Sequence, residues 1–546
     1  MVIVAFLLVS PSSEVINAWN LMIEFQLVSR NYKMTGMSSA EWQQYHVFLH
    51  RGSSHMATAT ITGIFKPREN TPLSTRTHEA QAERKGRVSR ERGIVMGGSM
   101  AGLVTARILS DHYSEVIVVE QDAFGPFGEH RRGVPQSRFP HGVLASGLHT
   151  LEGFFPGLTQ EAVNRGAPLI DRIRDAHWCF PKGEHARFES GFLELLLSRP
   201  LLEGLVRERV RRLTNVQFRE GCQVIGLLTT SDSRRVTGIR TNAAELAADL
   251  VVDATGRGSR SPTWLEAMGY GRPAEEKIEV NRAISARRFR RSPDHLDGAL
   301  FVAIPATPAT GKGGIMVAQE GNSWIVAVNA CCGATVPTEL GAFIDFTRTL
   351  PVPYIYDVIS QAEPIGEAHA TRFPANVRRR YESMKRFPEG YLVLGDAICS
   401  FNPVYGQGMS VAALEAAALN RLLGRGSTDL AHRFFRQIAD IVDIPWSIAA
   451  GNDLRMSRAV GSETPRARFF NWYMTKLHSA ARHDPSLVLA FQKVSNLQAS
   501  PSSLLTPGVI MRVFLAVPVQ SAVRRTSKSF ARGLSTLAEV VRASFT

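Results

Sequence analysis

Apolar and polar positions change their rhythm several times along the chain, and the changes mark its units. From residue 1 to about 90 no period is sustained, and residues 66–92 are polar, charged and proline-containing, without an apolar face to bury. Residues 1–90 therefore read as a loosely ordered extension, and Met34, Met37 and Met56 each offer an alternative start. Order begins at Gly93. Ile94, Val95 and Met96 form a short apolar run, Gly97-Gly98-Ser99 breaks it, and Leu103, Ala106 and Ile108 follow at helical spacing within residues 100–113. A second apolar run, residues 116–119, ends in Glu120. Strand, tight turn, helix and strand make a βαβ unit, and with it a parallel sheet.

Downstream, residues 193–213 predict a helix, and residues 224–228, 236–240 and 246–252 predict three short strands, a meander returning to the sheet. Between residues 280 and 381 strand-like runs (299–304, 314–318 and 323–328) alternate with one helix near 340–350, as a second, mixed sheet covering a ligand would. Residues 391–394 are a further buried strand. Gly395-Asp396 and a loop separate it from an alanine- and leucine-rich helix, residues 409–423, that returns the chain to the first domain. Beyond Ser427 the pattern is mainly helical, and no internal repeat is present.

Composition narrows the class. With 44% apolar and 21% charged residues in a chain of 546, a multi-unit soluble globular protein is expected, not a disordered, fibrous or polytopic membrane chain. The net charge of +14 raises the question of nucleic acid, yet the basic residues are spread through every segment and no nucleic-acid motif occurs. A phosphate-rich cofactor is the simpler partner. The basic stretch 512–542 reads as a solvated helix face in preference to a peripheral membrane contact. Cys179, Cys222, Cys331, Cys332 and Cys399 are an odd set with no C-x-x-C pair, so reduced thiols in a cytoplasmic setting are expected, with no disulfide framework and no metal site. The apolar opening, residues 2–9, lacks a basic flank and is too short to span a bilayer.

Three sites carry the candidate chemistry. The first is Gly97-Gly98-Ser99-Met100-Ala101-Gly102 with Glu120: a tight turn brings helix N-terminal amides to a pyrophosphate, Gly102 permits close helix-to-strand packing, and the acid accepts ribose hydroxyls. Ser99 stands where the dinucleotide fingerprint has its second glycine. The second is Val251-Val252-Asp253-Ala254-Thr255-Gly256, a buried strand ending in small residues that let a ligand approach the backbone. The third is Gly395-Asp396-Ala397 followed by Asn402-Pro403 and Gly406-Gln407-Gly408-Met409-Ser410, where an aspartate at a strand end meets a glycine-bracketed helix N-terminus suited to an anionic ring. His141 and Cys399 lie near these motifs and read as packing residues, and the vicinal Cys331-Cys332 reads as structural.

Together these residues resemble the FAD-dependent monooxygenases of the para-hydroxybenzoate hydroxylase type, over residues 93–423, including Arg132-Gly133-Val134-Pro135-Gln136 with His141 and Ser198-Arg199-Pro200-Leu201-Leu202. The Cys399-Ser400-Phe401-Asn402-Pro403 loop and Asp253-Ala254-Thr255-Gly256 look most like the flavin epoxidases and hydroxylases of polyether and other polyketide assembly. The wider group more often has a histidine after Gly-Asp-Ala and an Asp-Gly in the middle motif, so an aromatic hydroxylase is disfavoured. The resemblance implies an α/β architecture: a Rossmann-like FAD-binding domain in two parts (91–279 and 386–425), an inserted mixed β-sheet substrate domain (280–385) and a C-terminal helical region (426–546).

By the same resemblance Glu120 holds the adenosine ribose, residues 97–102 the pyrophosphate, and Arg132, Gln136 and Arg199 the flavin chain. Asp396 holds the ribityl and phosphate region, with Thr255 and Gly256 close by, and Gly406, Gln407, Gly408 and Met409 the pyrimidine edge. The implied activity is epoxidation or hydroxylation of an apolar polyketide- or terpenoid-like molecule, with NADPH or NADH as transient reductant and O2 activated as a flavin C4a-hydroperoxide. A separate flavin or nicotinamide reductase is an optional partner. A reductase of isoprenoid double bonds, a flavin halogenase and a non-enzymatic nucleotide-fold binding protein are the alternatives. Pro445-Trp446-Ser447-Ile448 lacks the tryptophan signature of the halogenases.

Overall fold

Where the apolar runs begin, parallel pairing begins. The computed structural model describes residues 48–50, 58–60, 90–426, 428–456 and 465–515. The chain divides into a unit of residues 1–87 and one of residues 88–546. In the first, the described residues are one antiparallel pair, Phe48–His50 with Thr58–Thr60. The remainder of the expected extension, its alternative starts and the basic stretch beyond residue 515 lie outside the described residues.

The second unit opens with β1 (Arg92–Met96), α1 (Met100–Leu109) and β2 (Glu115–Val119). Then come α2 (Ala145–Phe154), β3 (Ala176–Phe180), α3 (Arg199–Arg211), β4 (Val216–Arg219) and β5 (Leu250–Asp253). A long strand β6 (Ala274–Arg290) leads to β7 (Phe301–Ile304), β8 (Lys312–Gln319), β9 (Ser323–Ala330) and α4 (Leu340–Arg348). β10 (Pro364–Arg380), β11 (Tyr391–Val393), β12 (Cys399–Ser400) and α5 (Gly408–Leu423) return the chain, and α6 (Leu430–Asp453), α7 (Pro465–Ala480) and α8 (Pro485–Ser495) follow.

The first domain is a five-stranded parallel sheet in the order β11-β5-β1-β2-β4. Its strands are covered on both faces, which is why they read as continuous apolar runs without alternation. Ile94 pairs with Ile117, and Val252 with Leu392, all buried. α5 packs on α1, so the second part of the domain completes the layer begun by the first. The meander is Val224–Thr229, Val236–Thr241 and Glu245–Ala247, and the run expected as its third strand splits there, its latter half becoming β5 in the parallel sheet.

The second sheet has eight strands, in the order β12-β10-β6-β9-β8-β7-β3 and finally Gly183–Glu184. It thus draws strands from outside residues 280–385. β6 and β10 span 17 residues each and pair antiparallel. The exposed start of this ribbon is tied by Glu275–Arg379 and Glu276–Arg380 ion pairs, so it shows no apolar period in the sequence. The helix expected over residues 193–213 is also corrected. Leu193–Leu195 is a strand, and the helix starts at Arg199, because the Ser198 side chain accepts the Leu201 N–H and Pro200 sits in the first turn. Among the described residues no helix is long and apolar enough to cross a membrane.

Candidate functional site

The glycine turn between β1 and α1 is crowded on all sides. A Cβ on Gly97 would lie 2.6 Å from the Ala254 carbonyl oxygen, one on Gly98 2.6 Å from the Phe124 ring, and one on Gly102 1.8 Å from the Gly97 carbonyl oxygen. Gly97 also holds φ +99°, a conformation that favours glycine. Glu120, buried at the end of β2, accepts the Gly98 N–H at 2.8 Å through Oε2 and the Asp122 N–H at 3.1 Å through Oε1. Ser99 donates its hydroxyl to Glu203 at 3.0 Å and accepts from Arg199 at 2.7 Å, so the residue that departs from the fingerprint is tied into a charged pair on α3. Met100 and Ala101 open α1, and a Cβ on Gly395 would stand 3.1 Å from the Ala101 methyl. That approach joins the first site to the third.

The second site meets them there. Asp253 is fully buried and accepts from the Thr255 N–H (2.9 Å), the Thr255 hydroxyl (2.6 Å) and the Ser259 hydroxyl (2.6 Å), which turns the chain sharply after β5. A Cβ on Gly256 would lie 4.0 Å from the Asp396 Cβ, and one on Gly408 3.4 Å from Asp396 Oδ1, so the aspartate faces the N-terminus of α5. Asp396 is exposed, and the desolvation imposed by the protein around its carboxyl raises it above the ordinary range against the pull of Arg199 and Arg257. Arg199 bonds to Glu203 and Ser99, and its charge acts on Asp396.

Beneath the turn, Glu415 of α5 was not singled out in the sequence, where it is one polar position in an alanine-rich helix. It is wholly buried, accepts the Gly395 N–H at 2.7 Å, and leaves Oε1 unpartnered. Burial pushes its carboxyl up to about 8, the Gly395 bond opposing and the Asp396 charge adding. Gly406 has φ +65°, Gln407 is buried with Oε1 unpartnered, and Met409 packs on the core. Arg132 and Gln136 are exposed, and their side chains make no hydrogen bond among the described residues. Arg131, the neighbour of Arg132, enters the site instead: it lies 3.1 Å from Glu120 and 2.9 Å from Glu203, with Nη2 buried and unpartnered.

Next to the Pro403-to-Gln407 loop lies a cavity of about 430 Å³ between the second sheet and α6, α7 and α8. Phe301, Ile304, Val317 and Phe491 give it apolar walls, and His141 lines it together with Tyr405 and Gln407 of the loop. The C-terminal helices thus line the cavity together with the second sheet, which the sequence alone marks as a cover for a ligand. Burial, with the Arg199 charge, pushes His141 down to about 4, which keeps it neutral. A buried polar network holds the loop: Asp453 accepts from Tyr405 Oη (2.8 Å), Asn402 Nδ2 (3.0 Å) and Asn376 Nδ2 (2.7 Å), with Arg282 Nη2 at 3.4 Å. Burial raises the Cys399 thiol well above its ordinary value, in keeping with a packing role. Among the described residues no cluster of three metal-ligating side chains occurs.

No family model matches the chain. It is 35% identical over 406 residues to Protein Rv3254 of Mycobacterium tuberculosis, covering 70% of this chain and 84% of that protein. Among solved structures, p-nitrophenol 4-monooxygenase PnpA of Pseudomonas putida superposes with a TM-score of 0.52 at 18% identity, over 76% of this chain and 99% of that one. The flavin-dependent brominase Bmp2 gives 0.56 at 12% identity over 78% and 98%, and a flavoprotein/dehydrogenase of Cytophaga hutchinsonii 0.56 at 13% over 80% and 100%. At these identities the likeness is one of fold.

Proposed function

Because the chain belongs to one family with Protein Rv3254 and carries the fold of the para-hydroxybenzoate-hydroxylase-type flavin proteins, we propose that it is a FAD-dependent monooxygenase of apolar small molecules. The observation that carries the reading is the meeting of the 97–102 turn, Glu120, Asp396 and the 406–409 segment, whose Gly406 and Gln407 line a largely apolar cavity. These residues fit FAD. The turn leaves room at Gly97 and Gly102 only for hydrogen, and the buried Gln407 Oε1 and Arg131 Nη2 have hydrogen-bonding capacity that no protein atom uses.

When bound, FAD supplies the redox chemistry, taking two electrons from NADPH or NADH and passing them to O2, so that substrate, reduced nicotinamide, a proton and O2 yield oxygenated substrate, oxidised nicotinamide and water. Glu120 is held by two backbone N–H donors in position to accept ribose hydroxyls. Asp396, which lies beside the N-terminus of α5, would hold the flavin chain, and the amides and dipole of that helix would favour negative charge on the reduced ring. The walls of the cavity exclude water and orient an apolar substrate. Epoxidation or hydroxylation of a polyketide- or terpenoid-like molecule suits such a chamber, which needs no acid or base to transfer oxygen. A separate reductase as electron donor belongs to the same proposal.

The test is product analysis with an apolar alkene, NADPH or NADH and isotopically labelled O2. One labelled oxygen atom per product is expected, with added chloride or bromide leaving the product unchanged. Label from water, a halogenated product, or a saturated product formed equally well without O2 would each overturn the reading.

A further inference from the structure

Part of the cavity lining is an aromatic box that the proposed oxygen chemistry does not use. Phe180 of β3 stacks on His478 of α7 with centroids 3.9 Å apart and planes at 12°, and on His185 at 4.4 Å and 25°. Phe491 of α8 stands edge-on to both histidines, at 4.9 Å from His478 and 5.6 Å from His185. Phe180, His478 and Phe491 line the cavity, whereas His185 stands behind them. Backbone bonds fix the second histidine, whose N–H donates to the Trp178 carbonyl at 3.0 Å, while the Ala186 N–H donates to the Ala481 carbonyl at 3.1 Å.

The two rings are joined, His185 Nε2 to His478 Nδ1, at 3.1 Å. His185 is 3% exposed, and its other nitrogen, Nδ1, has no partner. An N–H buried without an acceptor is costlier than a bare lone pair, so the favoured tautomer leaves Nδ1 of His185 unprotonated. His185 Nε2–H then donates to His478 Nδ1, and the proton of His478 sits on Nε2, the nitrogen left for the cavity. Burial pushes His185 down to about 4 and His478 well below its ordinary value, so both rings stay neutral. Arg455 lies on the same cavity wall but is already engaged within the protein.

We propose that His478, oriented by His185, anchors the substrate by donating its Nε2–H to an uncharged oxygen acceptor, a carbonyl or ether, on an otherwise apolar molecule held in the cavity that the 403–407 loop also lines. A neutral N–H donor rewards such an oxygen and itself supplies no counter-charge to a carboxylate; Lys182, which lines the same cavity, is the cation that the carboxylate probe tests. The proposal rests on the cavity being the substrate chamber of the flavin enzyme described above.

The experiment is calorimetric binding to the full chain as purified, with FAD content read from its visible absorbance in the same sample. The probes are 4-phenylcyclohexanone, phenylcyclohexane, which lacks only the oxygen, and trans-4-phenylcyclohexanecarboxylate. The ketone is expected to bind about fivefold more tightly than the hydrocarbon, the worth of one net hydrogen bond. H478F should erase that preference while keeping hydrocarbon affinity, and H478Q, which retains an N–H donor, should keep it. Nitrogen-15 spectra of the wild-type chain, which do not depend on a variant folding, should place the His478 proton on Nε2. Equal affinity of ketone and hydrocarbon, no binding of either, tighter binding of the carboxylate, an unchanged preference in H478F, or a proton on Nδ1 of His478 would each overturn the proposal. A preference that persists in a sample devoid of FAD supports His478 and counts against the flavin reading alone.

Discussion

Replacing Asp453 by alanine tests how the loop over the cavity is held. Arg282 and Asp453 are 2% and 0% exposed, and the carboxylate carries, besides Arg282, the donors of Asn376, Asn402 and Tyr405 at 2.7–3.0 Å. Burial and the Asp453 charge both raise the Tyr405 phenol well above its ordinary value, so it remains a neutral donor. Asp453→Ala leaves the Arg282 guanidinium buried without a counter-charge, which costs about 3–5 kcal/mol, and strands three neutral donors besides. The expected loss is therefore at least ~4 kcal/mol, a large share of the ~5–15 kcal/mol that holds a native protein. The double variant Arg282→Met/Asp453→Leu removes both charges and leaves only the stranded amides and phenol, so it should recover at least ~2 kcal/mol of that loss. Urea unfolding followed by tryptophan fluorescence reads both, since Trp446 is buried on the same helix. A single variant within ~1 kcal/mol of wild type, or a double variant no more stable than the single, would refute the account of a buried pair locked by hydrogen bonds.

Glu120→Arg and Asp396→Ala should each lower FAD occupancy, read from visible absorbance, while circular dichroism stays native; full occupancy in both would count against the cofactor assignment. Gly102→Ala, whose Cβ would lie 1.8 Å from a backbone oxygen, should displace α1 from the turn and abolish flavin retention, so a variant with wild-type retention would refute the packing argument. Glu415 has its folded value raised to about 8 from 4.5, so the unfolded chain loses this proton first; its contribution is fully present below about pH 4.5 and is lost as pH rises towards 8. Glu415→Gln should flatten the fall of Tm between pH 5 and pH 8, and an unchanged slope would show that the carboxyl ionises freely in the native state. A chain beginning at Glu83 should fold and bind FAD; its loss of solubility or flavin would show that the preceding residues pack on the domain.

What was legible in the sequence is what neighbouring residues decide between themselves. The β1–α1–β2 unit could be read because strands covered on both faces need unbroken apolar runs, and because backbone oxygens 2.6 Å and 1.8 Å from a Cβ exclude a side chain at residues 97 and 102. The start of α3 at Arg199 was legible too, from Ser198 followed by Arg199-Pro200, but the apolar run from Leu193 hid it: Leu195 and Leu201 are both buried, one from a strand and one from a helix, and spacing alone does not separate them.

The remainder was hidden because its signal is carried by pairs far apart in the chain. Glu415 looks like a solvated position in a helix until Gly395, twenty residues earlier, turns its N–H onto it. Asp453 gathers partners 51 and 77 residues away, and His185 meets His478 across 293. In each case an isolated polar residue in the sequence reads as surface, and only the fold brings up the partner that makes its burial affordable. The consequence bears on function. The glycine turn is local, and a family resemblance finds it; the cavity proposed to take the substrate is assembled from β3, β7, the 403–407 loop and three C-terminal helices, so its chemistry is read from tertiary structure. Rv3254-like chains that share the 97–102 turn but differ at positions 185 and 478 should accordingly keep the cofactor and change the substrate.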